Sequence, residues 1–213
     1  MKARSEFLIG SVSVLLLVGM VAISKYCSFR KQEFISPNSI HTAGKKYILG
    51  DTLDTFQNIP IFYNGSPDNV LGISKSPNGY VYGLQYQCVE FIKRFYFDFL
   101  HHTFPIGSGE AVDFFETDLS DGQLNQARQL RQFAHPSYWK PEKYDILVFN
   151  ATSDNKYGHV AIISTIWQDS LEIIQQNTGL QTRRVIRYSF VQNRWQLQDK
   201  RVLGWLRKDS LPH

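Results

Sequence analysis

Two residues of the sequence, Cys88 and His159, have the chemistry and the setting for nucleophilic catalysis. Cys88 stands directly before Val89–Leu100, where apolar residues at helical spacing predict an amphipathic helix. A helix N-terminus favours an anion, so we expect a lowered pKa for the thiol and free N–H groups for an oxyanion. His159 follows Gly158 and opens an apolar strand, where an imidazole can face a cleft and accept the thiol proton. Alone, each residue is more often structural.

A run of amide side chains, Gln175, Gln176 and Asn177, ends the strand that follows the strand of His159. If the two strands form a hairpin, these amides lie beside the imidazole. The side-chain carbonyl of Gln175 or Asn177 can then accept the ring N–H, which directs the other ring nitrogen at Cys88. An amide run by itself is typical of a solvated strand end. Together, the thiol, the imidazole and the amides predict a nucleophile, a base and an orienting group.

Three glutamines are candidates for binding the oxyanion or the substrate. Gln87 immediately precedes Cys88, so its side-chain amide could donate a hydrogen bond to an oxyanion. Gln85 and Gln176 are the further candidates.

The composition argues against several other classes of protein. A chain of 213 residues with 43% hydrophobic and 20% charged residues is sufficient for one globular domain. Part of the net charge of +4 lies in the first 46 residues, so the sequence does not have the basic stripe of a nucleic-acid-binding domain. The two cysteines, Cys27 and Cys88, are too few for a disulfide scaffold and have no clustered zinc ligands. We therefore expect no metal, no cofactor and no nucleic-acid partner.

The N-terminal segment predicts a membrane anchor. Phe7–Ser24 contains no charged residue and would extend about 27 Å as a helix, enough to cross the hydrocarbon core. Residues 1–24 are therefore a single transmembrane signal anchor or a signal peptide cut after Ser24, and the length of the apolar run favours the anchor. A polar linker over residues 25–46, a domain over 47–208 and a tail over 209–213 follow. The short N-terminal tail before a large domain favours a single-pass membrane protein with an exported, periplasmic or extracellular domain.

The pattern of the domain predicts helices first and a mostly antiparallel sheet afterwards. Besides Val89–Leu100, the segment Asp113–Phe133 is predicted to be helical in parts, with a break near Asp121. This order predicts an α+β domain whose N-terminal helices pack on the sheet. The predicted strands are Ile59–Tyr63, Ile146–Phe149, Val160–Trp167, Leu171–Gln175, Arg183–Tyr188 and Val202–Leu206.

Five segments of the domain occur in an order that carries a family resemblance: Tyr82–Phe91, Lys143–Phe149, Gly158–Ile163, Gln175–Asn177 and Leu203–Trp205. In combination they resemble the CHAP family of cysteine, histidine-dependent amidohydrolases and peptidases. Within that family, residues 47–208 are most similar to the amidase domain of glutathionylspermidine synthetase/amidase. The Gln-Cys-Val-Glu-Phe block and the Gly-His-Val-Ala block are specific because both are present in this order.

The resemblance implies a papain-like α+β fold, with Cys88 as the nucleophile and His159 as the general base. The family usually has Glu at the position of Gln175 and Asn at the position of Asn177. The change from Glu to Gln matters, because a carboxylate stabilises an imidazolium by its charge while an amide only orients the ring. The resemblance therefore leaves three alternatives: an active enzyme, an enzyme with a reduced rate and an inactive relative.

The resemblance also implies hydrolysis of a peptide-like amide bond, and two substrate classes remain open. One is a glutathione–polyamine conjugate, for which the acidic residues Glu110, Asp113, Glu116 and Asp118 could line a cleft, although they are also typical of a solvated surface. The other is the peptide cross-link of peptidoglycan, which an exported domain would meet. An alternative of another class is a membrane-tethered binding module with weak or no activity, which Gln175 favours.

Overall fold

Most of the regular structure in residues 45–209, the part of the chain that the computed structural model describes, is β-strand. The helical elements of this part are one α-helix, α1 (Cys88–Asp98), and one 3₁₀ turn, Val112–Phe114. The strands are, in chain order, β1 (Thr52–Phe56), β2 (Ile59–Phe62), β3 (Ile73–Lys75), β4 (Val81–Leu84), β5 (Gln123–Asn125), β6 (Leu130–Ala134), β7 (Ile146–Phe149), β8 (His159–Ile166), β9 (Ser170–Ile174), β10 (Arg183–Val191), β11 (Arg194–Leu197) and β12 (Val202–Arg207).

The predicted α+β fold with several N-terminal helices is wrong. Asp113–Phe133, which was predicted to be helical in parts, forms the 3₁₀ turn and the strands β5 and β6. At the start of β6, Leu130 and Gln132 are buried while Arg131 is exposed, which is the period of two of a strand. Because β6 pairs with β12, cross-strand contacts rather than local propensity determine its conformation.

The other predictions of secondary structure are mostly confirmed. The predicted helix corresponds to α1, and Ile146–Phe149 is a strand with the predicted bounds. The remaining predicted strands are present with ends that differ by one to three residues.

Within residues 45–209, no helix is both long and apolar enough to cross a membrane. The predicted anchor (residues 1–24), nearly all of the linker (25–46) and most of the tail (209–213) lie outside the described residues. The export of the domain stays a prediction.

Eight strands form one antiparallel sheet in the order β11-β10-β9-β8-β7-β12-β6-β5. The sheet curls so that β11, at one end, contacts the chain just after β6, the second strand from the other end. There the backbone N–H of Ser137 donates to the carbonyl of Trp195 over 3.2 Å, and the N–H of Trp195 donates back over 2.7 Å. Two short hairpins, β1-β2 and β3-β4, accompany the sheet.

Both faces of the central strands are buried, which explains their continuous apolar sequences. One face of β7 and β8 contributes Leu147 and Ala161 to a core inside the curled sheet, around the fully buried Trp205. The alternate residues, such as Val148 and Ile162, pack in a second core with α1. The second core fixes the start of α1 against β8, and this contact positions the candidate site.

Three charged residues of α1 are also buried, although the helical pattern places them on its polar side. Glu90 is 2% exposed, Lys93 1% and Arg94 8%. Arg94 Nε lies 2.7 Å from Glu90 Oε1, and Lys93 Nζ donates to the carbonyl of Gly107 over 3.0 Å. The helix therefore has buried partners on more than its apolar face.

Candidate active site

Cys88 is the first residue of α1, and the turn before it presents the thiol. Tyr86 has a positive φ of 63°, and Gln87 is extended with φ −80° and ψ 161°, so the chain enters the helix abruptly at Cys88. Cys88 is 8% exposed. Its sulfur accepts hydrogen bonds from the backbone N–H groups of Cys88, Val89 and Val160. Val160 lies on β8, so the thiol rests against the strand that carries His159.

The thiol is neutral at physiological pH. Burial raises the pKa of Cys88 from 9.0 to about 11, and the surrounding N–H groups only partly oppose this effect. The carboxylate of Glu110 raises the pKa further. The predicted lowering of this pKa at the helix N-terminus is therefore wrong, because desolvation of the thiolate outweighs the favourable backbone groups.

His159 opens β8 opposite Phe149 on β7. Gly158, which precedes it, has φ +72°, and a Cβ atom there would lie 2.7 Å from the carbonyl oxygen of Phe149. Only glycine fits this tight turn without a shift of the backbone. The turn thus places the imidazole at the start of β8, where the ring centres of His159 and Phe149 lie 5.9 Å apart.

Gln175 determines which nitrogen of His159 can act as a base. Its Oε1 lies 3.1 Å from His159 Nε2, and its own Nε2 donates to the carbonyl of Gln181 over 3.2 Å. Since the amide is oriented by Gln181, its oxygen accepts a proton from Nε2 of the ring. The unprotonated nitrogen is then Nδ1, which is free to accept the proton of the thiol.

The imidazole is neutral as well. Burial lowers the pKa of His159 from 6.5 to about 4, and the hydrogen bond that the ring donates to Gln175 only partly opposes this change. The guanidinium groups of Arg184 and Arg201 lower the pKa further. Cys88 and His159 therefore lie on adjacent elements as a neutral thiol and a neutral imidazole, and no hydrogen bond joins them in the described structure.

Asn177 lies at a different place from the one that the sequence predicted. Its Nδ2 donates to Gln87 Oε1 over 2.5 Å and to the carbonyl of Pro67 over 3.0 Å, and its Oδ1 accepts from Asn64 over 2.8 Å. Asn177 thus fixes the residue before Cys88, whereas the ring of His159 donates its hydrogen bond to Gln175.

Gln176 connects the end of β9 to the start of α1. Its Nε2 donates to the backbone carbonyl of Gln87 over 3.0 Å and to Glu90 Oε2 over 2.8 Å. Its Oε1 accepts from the N–H of Phe62 over 2.8 Å and from Arg94 over 3.3 Å. These bonds engage both ends of the buried amide, so Gln176 positions the helix and does not face a substrate.

The two glutamines before Cys88 differ in what they can bind. Gln87 uses its Nε2 on the carbonyls of Pro67 and Asn69, at 3.2 and 2.8 Å. The amide of Gln85 lies near Gly72 and has no hydrogen-bond partner within residues 45–209. Of the three predicted donors, Gln85 is thus the one whose amide stays available for a ligand.

Two groups of functional interest were missed by the sequence. One is the buried ion pair of Glu90 and Arg94, for which an i,i+4 spacing was the available signal. The other is the pair Arg184 and Arg201 near His159, which come together only through the sheet and carried no local signal. The described residues contain no group of three or more His, Cys, Asp or Glu side chains that could hold a metal ion.

The comparisons with known proteins cover only part of this chain. No protein of curated function matches the chain. The crystal structure of Ly7917 aligns with 19% identity and a TM-score of 0.36, over 58% of this chain and 53% of that chain. The crystal structure of Ly7917 with the hydrolyzing product of MDP aligns with 28% identity and a TM-score of 0.26, over 38% and 32% of the two chains. The aligned part thus spans about half and about a third of those chains. The segment that carries Cys88, His159 and the three amides, residues 76–177, matches the family model of the CHAP domain.

Proposed function

We propose that this protein is a cysteine-dependent hydrolase of peptide-like amide bonds, with Cys88 as the nucleophile and His159 as the base. The observation that carries the proposal is the position of the Cys88 sulfur against Val160, next to a histidine whose Nε2 is held by Gln175. This arrangement leaves Nδ1 to accept the thiol proton, as nucleophilic catalysis requires. The match of residues 76–177 to the CHAP domain supports the same chemistry.

The reaction proceeds through a thioester. The sulfur of Cys88 attacks the amide carbonyl carbon while Nδ1 of His159 takes the thiol proton. When the C–N bond breaks, His159 gives this proton to the leaving nitrogen, and the acyl group stays on the sulfur. Water, deprotonated by His159, then attacks the thioester, and the proton returns to the thiol as the acid leaves.

The oxyanion of each tetrahedral intermediate needs hydrogen-bond donors close to the sulfur. The backbone N–H of Cys88 is one, because the first N–H groups of a helix have no partner within the helix. We assign the second to the side-chain amide of Gln85, which has no partner in the described part of the chain. Gln87 and Asn177 support the turn that presents these donors.

The neutral thiol and imidazole also favour a second candidate function, a binding module with weak activity. A pKa of about 11 for Cys88 and about 4 for His159 means that the pair has no ionic form to start the reaction. Gln175 adds no charge that would stabilise an imidazolium. This candidate has the same fold and ligand class but a much slower turnover.

Cell-wall peptides are the substrate class that we favour, because they are common substrates of the CHAP domains that this chain resembles. A glutathione–polyamine conjugate is disfavoured by charge. Its leaving amine is a polycation, and the leaving group must lie on the side of His159, where Arg184 and Arg201 are found.

The test is hydrolysis by the purified chain of peptidoglycan fragments and of glutathionylspermidine, measured as newly released amino groups. Cys88→Ala should abolish release, because no other residue supplies the nucleophile, while the circular dichroism spectrum is unchanged. Cys27→Ala removes the other thiol of the chain and should retain full activity. Release at the wild-type rate by Cys88→Ala would disprove the mechanism. Ligand binding without release by the wild type would instead support the binding module.

A further inference from the structure

Two arginines, Arg184 and Arg201, lie against the ring of Phe149, beside the proposed base His159. The guanidinium carbon of Arg184 lies 5.3 Å from the centre of the Phe149 ring, and that of Arg201 lies 5.6 Å from it. The Phe149 ring is itself 5.9 Å from the ring of His159. Arg184 is in β10 and Arg201 directly precedes β12, so the sheet brings them together from distant parts of the chain.

Asp199 holds both arginines but does not neutralise them. Its Oδ2 accepts from Arg184 Nη1 over 2.8 Å and from Arg201 Nη2 over 2.9 Å, and its Oδ1 accepts from Arg201 Nε over 3.2 Å. Each guanidinium has five N–H donors, so donors remain on both side chains after these bonds. Two positive charges therefore face one negative charge, and the Arg201 side chain is 52% exposed.

The position of these charges relative to the scissile bond follows from the mechanism. The acyl part of the substrate stays on the sulfur of Cys88, and His159 protonates the leaving nitrogen. The leaving group must therefore extend from Cys88 towards His159 and beyond it, to Phe149 and the two arginines.

We propose that Arg184 and Arg201 form a subsite that binds a carboxylate of the leaving group. The preferred substrates are then amides whose amine side is an amino acid with a free carboxyl group close to the scissile bond. Guanidinium groups bind carboxylates through paired N–H donors, and Asp199 orients both of them in advance. This inference rests on the proposed function, because it needs His159 to define the leaving-group side.

The experiment uses pairs of peptides built around the bond that the wild-type chain hydrolyses. In each pair the residue on the amine side of that bond is the last one, with its carboxyl group either free or amidated. We expect kcat/KM to be about tenfold higher for the free carboxylate, since a partly exposed charged hydrogen bond has about this effect. In Arg201→Gln the ratio should fall towards one, and in Arg201→Lys it should be intermediate.

Arg187→Gln is the matched control. Arg187 is exposed on the same strand as Arg184 but pairs with Ser170, at the end of the β9–β10 ladder that is opposite to the site. It should keep the wild-type ratio. A purely structural effect of Arg201→Gln would slow both peptides equally and would leave the ratio unchanged.

The outcomes separate this inference from the proposed function. Hydrolysis with equal kcat/KM for both peptides, or a preference that persists in the Arg184→Gln/Arg201→Gln double variant, would overturn the carboxylate subsite alone. Absence of amide hydrolysis by the wild type would overturn the proposed function and the subsite with it.

Discussion

Two neighbouring glutamines after β9 form hydrogen bonds in two regions, one of which holds charged side chains and the other neutral ones. Gln176 belongs to the helix anchor, which we define as Glu90, Arg94 and Gln176. Gln175 belongs to the reaction pair, Cys88 and His159, as their orienting amide. In the helix anchor, buried charges have opposite charges and hydrogen bonds. In the reaction pair, the hydrogen-bond partners of Cys88 and His159 are backbone N–H groups and the amide of Gln175, and both side chains are neutral.

The difference shows how burial affects an ionisable side chain that has an oppositely charged partner and one that has none. Glu90 and Arg94 are 2% and 8% exposed, yet each retains a charged partner at 2.7 Å. In the reaction pair Cys88 is similarly buried and His159 is half-buried, and desolvation raises the pKa of Cys88 and lowers the pKa of His159. Both shifts oppose a thiolate–imidazolium pair. The start of α1 is thus held by a buried ion pair, while the thiol of Cys88 keeps its proton.

The largest expected effect is on the free energy of unfolding, and it comes from a substitution in the helix anchor. Glu90→Ala leaves the buried Arg94 without its carboxylate, and removal of one partner of a buried pair costs about 3–5 kcal/mol of unfolding free energy. Urea denaturation of the purified chain measures this loss. Arg131→Ala, which breaks an exposed pair with Asp209, should cost less than about 1 kcal/mol. Equal losses in the two variants would show that the helix anchor is no more than a surface pair.

The next effect concerns the neutral side and its dependence on pH. The unfolded chain protonates His159 below about pH 6.5, whereas the folded chain resists protonation down to about pH 4. Protons therefore bind preferentially to the unfolded state in this window, and stability falls as the pH decreases. The contribution of His159 is at most about 3 kcal/mol at pH 4. His102 and His135, whose pKa values burial also lowers, act in the same direction.

His159→Gln should remove its own part of this acid destabilisation. Urea denaturation at pH 7.0 and at a series of lower values down to pH 4 would compare the slopes of the variant and the wild type. A shallower slope in the variant supports a neutral, buried imidazole. Identical slopes would mean that the histidine is already solvated or charged in the folded protein.

The smallest expected effect comes from adding a carboxylate to the reaction pair, which gives it the kind of charged partner that the helix anchor has. Gln175→Glu places a carboxylate next to the Nε2 of His159, which raises the pKa of the imidazole and allows it to hold the proton of Cys88. We expect the rate of iodoacetamide labelling of Cys88 at pH 7 to increase about tenfold. In the wild type the rate should instead rise with pH towards about 11, as the thiol ionises.

Labelling is read by mass spectrometry of the peptide that contains Cys88, so that Cys27 does not contribute. Gln181→Glu is the matched control, because Gln181 is exposed and contacts Gln175 only through its backbone carbonyl. It should change the rate much less. A wild-type chain that is already labelled rapidly at pH 6 would contradict the neutral pair.

The sequence was sufficient to predict the elements that carry the site, because their signals are local. Helical spacing predicted α1 directly after the thiol, and the apolar run after His159 predicted β8 with its partner β9. The hydrogen bond between His159 and Gln175 follows from that hairpin. The residue roles remain predictions that the proposed experiments test.

What the sequence could not show depends on contacts between distant segments. The short strands β5 and β6 are polar on one face and form through their pairing with each other and with β12. The pKa of Cys88 depends on how deeply α1 packs, which no local pattern contains. Likewise, Asn177 could be placed near the site, but its contact with Gln87 depends on the loop around Pro67.

The place of β12 in the sheet has a consequence for the nascent chain. This strand lies between β7 and β6, although both precede it by more than fifty residues. During translation the middle of the sheet therefore stays open until Val202–Arg207 leaves the ribosome, since such non-local pairing has to wait for the later segment. Phe149 pairs with Val202, and Arg201 arrives with the same strand. In the proposed mechanism, the surroundings of His159 are therefore complete only after β12 has inserted into the sheet.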